Sequence, residues 1–505
     1  MKSYNKSLDY MINIFYIPLI IIGILGAINE LFLGILNVGH SGMLLIDVLI
    51  VIGVIGFFSR KKLKTIAWKP IKGAKILKVI LVVALILWQG YIVLTCSGIS
   101  MWDPGILALT ATENFKQVWV NTHQYFSNYS NTVPLLLLEH NVWLFLGKPE
   151  FKDFIVAMGM LNIVLVDVAI LCINIFTKKV INSKIVKNVS VFASIIFMGI
   201  TPWICIIYTD VIAFFLSALE LLLLALWKDK SVKTRCVISV LGGVIAVADL
   251  LIKPSLIIFY IALAIMIIFN LNKISWKHLI AYIVSFGLSF VLIWGTYNSF
   301  QAKHQNLVKI DKKMAMPMSH FAAMGIQGNG GYSLDDVNFA NSIKNPQKRN
   351  QKELQLWKKR FDKMGVLGYE RFLIKKQATN LSSGSFDWGH EGIFLIPFKK
   401  DAKTQSQLPR RLYVQKDNVA HWYNPNLLVF IQFIWCIGLI LMLCAAFEKN
   451  GVTELMKLTV LGFMLFLLIF ESGRSRYLIQ FLPFMLVLMG IGFNKIYCKL
   501  KRTKN

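Results

Sequence analysis

The chain has 505 residues, is 56% hydrophobic and carries 54 Lys and Arg against 26 Asp and Glu, a formal net charge of +28. Its mean hydropathy of +0.60 is gathered into blocks of about twenty apolar residues, each long enough to cross a hydrocarbon core roughly 30 Å thick, which excludes an ordinary soluble domain. The blocks do not alternate polar and apolar residues, so a barrel is excluded and the spans must be helices.

In chain order, MKSYNKSLDY shows no signal-peptidase pattern and leads into a first span over about 11–36 that is expected to stay in place. A second follows at about 43–59. Residues 60–75, RKKLKTIAWKPIKGAK, then hold seven basic residues and no acid, which makes this loop cytoplasmic by the positive-inside rule. Further spans are expected at about 76–98, 152–176, 189–207, 210–228, 236–251, 255–270, 277–299, 425–447, 452–470 and 478–495, about twelve in all. Alternation then puts TKKVINSKIVK, WKDKSVKTR, NLNKISWKH and the tail KLKRTKN in the cytoplasm, together with both termini.

The segment 132–147, TVPLLLLEHNVWLFLG, is short and interrupted by Glu139, His140 and Asn141. Counting it as a span would expel the Lys-rich loop 178–187, so it reads as a juxtamembrane helix in the outer interface. The expected fold is an all-α polytopic membrane protein in four parts. Residues 1–75 give two helices and a basic loop, and 76–299 a transmembrane core with a first outer loop at 99–151. Residues 300–424 give an extracytoplasmic loop domain, and 425–505 three helices with a basic tail.

The positive charge does not point to nucleic acid, because no binding motif accompanies it and cytoplasmic loops and anionic headgroups account for it. Seven cysteines lie in or beside apolar runs without a paired-Cys or Cys/His pattern, so neither a disulfide framework nor a zinc site is expected.

The same alternation brings scattered ionisable residues to the outer surface. Asp103 follows span three in SMWDPG, Asp210 lies in YTDV, Lys253 in LIKPS, and Glu471, Arg474 and Arg476 in ESGRSR. Charges beside hydrocarbon are costly and usually face a protein interior or wet cavity. Together they suggest a site for an anionic headgroup beside a base. Each has a plainer reading. Asp103 could form the turn before Pro-Gly, Asp210 could cap a helix, Lys253 could snorkel, and the two arginines could hold lipid phosphates without catalysis. Within 300–424, His320, Asp335, Asp336, Asp387, His390 and Glu391 sit in Gly-rich turns. They read first as solvated loop charges and second as acceptor-binding groups, with Trp388 placed to stack on a sugar ring.

From about residue 76 to 495, the ordered set WDPG, YFSNYSNTVPLLLL, YTD, IKP and ESGRSRYLIQFLP resembles the C-type superfamily of polytopic membrane glycosyltransferases, GT-C. The likeness is to Gram-positive members distantly similar to protein mannosyltransferases, and HFAAMGIQGNGGYSLDDV and SSGSFDWGHEGIF add to it. The resemblance implies a GT-C-like fold and transfer of a sugar from polyprenyl (undecaprenyl) phosphate to a hydroxyl on a cell-envelope polymer, glycolipid or protein, outside the cell membrane. It implies Asp103 as general base, worth about 10²–10⁴-fold, and Asp210 as a group orienting the acceptor or a basic side chain. Lys253, Arg474 and Arg476 would hold the departing phosphate. Glu471, Tyr129, Asn131, His320, Trp388, His390 and Glu391 are further substrate-binding candidates. A monophosphate donor does not call for a divalent ion, so no metal and no cofactor are expected. The chain departs from the family where Asp103 is followed by Pro104 rather than a second acid, and where Ser130-Asn131-Thr132 replaces a Pro-Asn-Asn-like element. The two N-terminal spans precede the family's usual first helix. Two competing readings are a lipid-linked polysaccharide polymerase or ligase, and a lipid-sugar transporter or flippase. The last expects broken helices and a polar midplane, whereas the spans read as mostly unbroken and the key charges lie near one surface, with Glu30, Asp47, Asp167, Glu220 and Asp249 as scattered exceptions.

Overall fold

Apolar runs of this length satisfy their amides internally, and the computed structural model is built accordingly from helices. It describes residues 4–38, 47, 74–303, 307–388, 395–414 and 424–502. Among these, nine helices are long and apolar enough to cross a membrane: Lys6–Val38, Ile76–Cys96, Phe151–Ile181, Thr209–Trp227, Val232–Ile252, Trp276–Ala302, Pro425–Ala445, Gly451–Ile469 and Ser475–Lys501. Nine of the expected spans coincide with them. The span at 43–59, apart from Asp47, and most of the basic loop behind it lie outside the described residues. The span at 255–270 is a shorter apolar helix, Pro254–Ile268.

The span at 189–207 is broken. Its helix runs over Lys184–Ser194, continues through a π turn to Gly199 and stops before Pro202. Proline lacks the amide proton a helix needs and forces the residue before it out of helical geometry; Thr201 is accordingly extended. The expected juxtamembrane element is the helix Val133–Phe145, which buries Glu139 and His140 and packs on the short helix Asp103–Ala111. The strands among the described residues are two-residue pieces, Gly98–Ile99 paired antiparallel with Ile396–Pro397.

One feature of segment 300–424 departs from an exposed loop. Its long helix Pro346–Asn380 reaches the first helix, where a Cβ at Gly26 would lie 2.3 Å from the Ala378 carbonyl; only glycine permits that approach. The chain then threads through the bundle over residues 381–388. Non-helical backbone so placed needs polar partners, and they come from remote helices. Gln432 accepts from the Gly384 amide at 2.8 Å and donates to the Ser382 carbonyl at 2.6 Å. Trp435 donates to Leu381 and Trp203 to Ser385.

Candidate functional site

The Asp103 helix starts from an extended Trp102, with Pro104 in its first turn where the missing amide proton costs nothing. Asp103 is the first residue of this helix rather than its cap, and its carboxylate is not turned to the helix amides. Instead Tyr125 donates its hydroxyl to Oδ1 at 2.8 Å and Tyr208 donates to Oδ2 at 3.0 Å. Burial and the Asp103 charge push both phenols up, so they remain protonated donors. A carboxylate oxygen has two lone-pair sites, so each can still accept from a substrate hydroxyl.

Asp210 is the second residue of the helix Thr209–Trp227 and therefore not its cap. It is 1% exposed, with Lys253 Nζ on Oδ1 at 2.7 Å and Arg476 Nε on Oδ2 at 3.0 Å. One carboxylate thus lies between two cations. The Arg476 guanidinium lies 3.9 Å from the Trp102 ring and 5.0 Å from the Tyr208 ring, which are themselves edge to face at 5.7 Å. Cation–π contact of this kind orients the planar fork as well as holding its charge.

The network continues through Tyr477, whose ring lies 5.6 Å from Lys253 Nζ and whose hydroxyl donates to Glu471 at 3.3 Å. Burial pushes the Glu471 carboxyl up, opposed by the Arg474 charge and reinforced by Asp103. Tyr129 and Tyr332 face the same space: burial raises both phenols, and the Asp103 and Glu471 charges raise them further. Tyr129 also rests against Tyr125, ring centroids 5.4 Å apart.

The loop carrying Glu471, Arg474 and Arg476 is tied down from segment 300–424. Lys376 gives its three protons to the Gly325, Leu468 and Phe470 carbonyls at 2.8, 3.1 and 2.6 Å, capping the helix that ends just before Glu471. The Ser472 amide donates to Gly330, the Gly473 amide to Asn380, and the Ser475 amide to Asp387.

Sequence reading and structure therefore meet at Asp103, Asp210, Lys253, Arg474, Arg476, Glu471 and Tyr129, which share one network or its border. The capping reading of Asp210 does not hold, whereas Asp103 does stand in a turn before Pro-Gly, with the Gly105 amide donating to the Trp102 carbonyl at 2.9 Å. Asn131 is exposed in a turn after Tyr129, and nothing ties it to Asp103. Two candidates are corrected. His320 is fully buried, with its ring bonded to Glu353 at 3.0 Å, and presents no surface to a substrate. Trp388 is 1% exposed and packed edge to face on Tyr413 at 5.7 Å, because its segment is threaded into the bundle. Asp336 is likewise committed, to Arg360 at 2.6 Å. His390 and Glu391 lie outside the described residues. Sequence reasoning missed Trp102, Tyr125, Tyr208 and Tyr477. Trp102 directly precedes Asp103 and Tyr477 directly follows Arg476, and that adjacency was the available signal. Among the described residues no group of three or more His, Cys, Asp or Glu is placed to hold a metal ion.

The family described as "Conserved hypothetical integral membrane protein" matches residues 4–497 of this chain. No curated protein and no solved structure matches it.

Proposed function

The chain belongs to this family of conserved integral membrane proteins, and we propose that it is a glycosyltransferase moving a sugar from a polyprenyl phosphate to an acceptor hydroxyl at the outer face of the membrane. The observation that carries the reading is the continuity from Asp103 through Tyr208 and Arg476 to Asp210 and Lys253. It sets a carboxylate able to take a proton beside a cation pair able to take a phosphate. In the proposed step the acceptor hydroxyl attacks the anomeric carbon. Asp103 takes its proton, the bond from that carbon to the phosphate oxygen breaks, and the electron pair leaves on the lipid phosphate. Arg476 and Lys253 stabilise the charge that grows there, with Arg474 at the rim. Tyr125 and Tyr208 keep Asp103 in place. Asp210 acts through the cations, as a positioning residue.

The test is release of polyprenyl phosphate from a panel of polyprenyl-phosphate hexoses by purified protein in nanodiscs with envelope acceptor fractions. Release with the wild type and none with Arg476→Gln, at equal protein, is expected. No release from any donor in the panel counts against the reading. One observation favours transport instead: Glu220 and Asp249 are both fully buried inside the bundle, and intramembrane acids mark ion pathways. Headgroup translocation without sugar transfer by reconstituted protein would establish that reading.

A further inference from the structure

Helix Pro346–Asn380 is not one rod. Gly365 has φ 63° and ψ 176°, a conformation that glycine adopts and other residues resist. Along a continuous helix Trp357 and Tyr369 would stand about 18 Å apart. Their ring centroids are 6.4 Å apart, and those of Phe361 and Tyr369 are 5.3 Å apart. The chain therefore folds back at Gly365 as a helical hairpin with an aromatic seam.

Both arms are anchored to the rest of the chain. Glu353 meets His320 and Arg360 meets Asp336 on the first arm, while Lys376 and Ala378 lock the second to the bundle. The tip is different. Val366 and Leu367 are 72% and 70% exposed, and Ile374, on the same helical face as Leu367, is exposed as well. Around them stand exposed Lys358, Lys359, Lys363, Arg371 and Lys375, outnumbering the exposed acids Asp362 and Glu370.

Height decides which phase the tip meets. Ala378 packs on Gly26 of the first helix. From residue 378 back to 366 a helix climbs at most about 18 Å. On the first helix, exposed apolar residues Ile28, Phe32, Leu33 and Leu36 continue for about 15 Å beyond Gly26. The tip therefore ends no more than about 3 Å beyond the level of Leu36, the last of these apolar residues.

We propose that this hairpin is a membrane-surface anchor. Val366 and Leu367 dip into the acyl–headgroup boundary, and the collar of lysines and arginine binds the headgroups of anionic phospholipid. Trp357 and Tyr369 beside the tip suit that boundary. A soluble acidic polymer would engage the collar and leave the apolar tip in water, so a lipid surface fits better. The second arm carries Lys376, so the anchor also couples the bilayer surface to the loop holding Glu471 and Arg474.

The test uses the full chain in phosphatidylcholine nanodiscs with and without phosphatidylglycerol. Nitroxides on Val366→Cys and, as a control, on exposed Asn338→Cys are compared for collisions with oxygen and with a nickel chelate, after subtracting the signal of the native thiols. Oxygen-dominated relaxation at 366 and chelate-dominated relaxation at 338 are expected; chelate-dominated relaxation at both overturns the anchor. With Lys358→Glu, Lys359→Glu and Lys363→Glu combined, phosphatidylglycerol enrichment in the co-purified lipid should fall several-fold, with the label at 366 still folded in place by its spectrum. Unchanged enrichment, or loss of a bound acidic polymer in its place, overturns the headgroup assignment.

Discussion

At the end of the bundle that holds the N-terminus, Lys457 gives its three protons to Asp9, to Asn13 at 2.9 Å and to the Ala446 carbonyl at 3.1 Å. The other Asp9 oxygen accepts from Tyr4 and Asn13. One cation meets one carboxylate, and every proton of the ammonium is committed. At the opposite end Asp210 meets two cations, while Asp103, one tyrosine away, accepts from neutral hydroxyls. The first arrangement is closed and holds helices together. The second sets two cations beside a carboxylate held by neutral hydroxyls, which suits a ligand that is anionic at one end and protic at the other.

Substitutions can break or sharpen this contrast. The largest effect on stability is expected at the closed cluster: Lys457→Met strands a buried Asp9 and should cost about 3–5 kcal/mol, read as a lower thermal midpoint in detergent. Adding Asp9→Leu should restore much of the loss, since a buried ion pair replaced by apolar groups is often nearly neutral. If Lys457→Met left the midpoint unchanged, the closed cluster would not be structural. At the open cluster, Arg476→Lys keeps the charge but removes the planar fork; donor binding should weaken by roughly tenfold with little change in the midpoint. A large stability loss there would make the two ends equivalent. Tyr208→Phe deletes one bond to Asp103 worth about 1 kcal/mol and should lower turnover about fivefold.

The smallest effect concerns pH. The raised Glu471 carboxyl is neutral below its folded pKa and ionises as pH rises through it, adding negative charge beside an anionic donor. Donor binding should therefore weaken with rising pH, and Glu471→Gln should flatten that slope. An identical slope in the variant would remove Glu471 from the site.

The helical, membrane-spanning character was legible because long apolar runs admit one backbone solution. The break at Thr201-Pro202 was written in the sequence too, but the apolar run around it hid it. Asp103, Asp210, Lys253 and Arg476 were legible because charges at span ends are expensive enough to stand out. Tyr125, Tyr208 and Tyr477 were not, since aromatic residues at span ends are common and a phenol chooses its partner only in three dimensions. His320 and Trp388 misled for the opposite reason. Gly-rich polar composition suggests exposure, yet the partners that satisfy this backbone, Gln432, Trp435 and Trp203, lie on remote helices that composition does not reveal.

The most direct measurement of the central claim takes Asp103→Asn protein in nanodiscs and follows polyprenyl-phosphate sugar binding and sugar transfer on the same sample. Donor affinity within about threefold of wild type, with transfer lower by about 10²–10⁴-fold, is the predicted result. Transfer at the wild-type rate would contradict it.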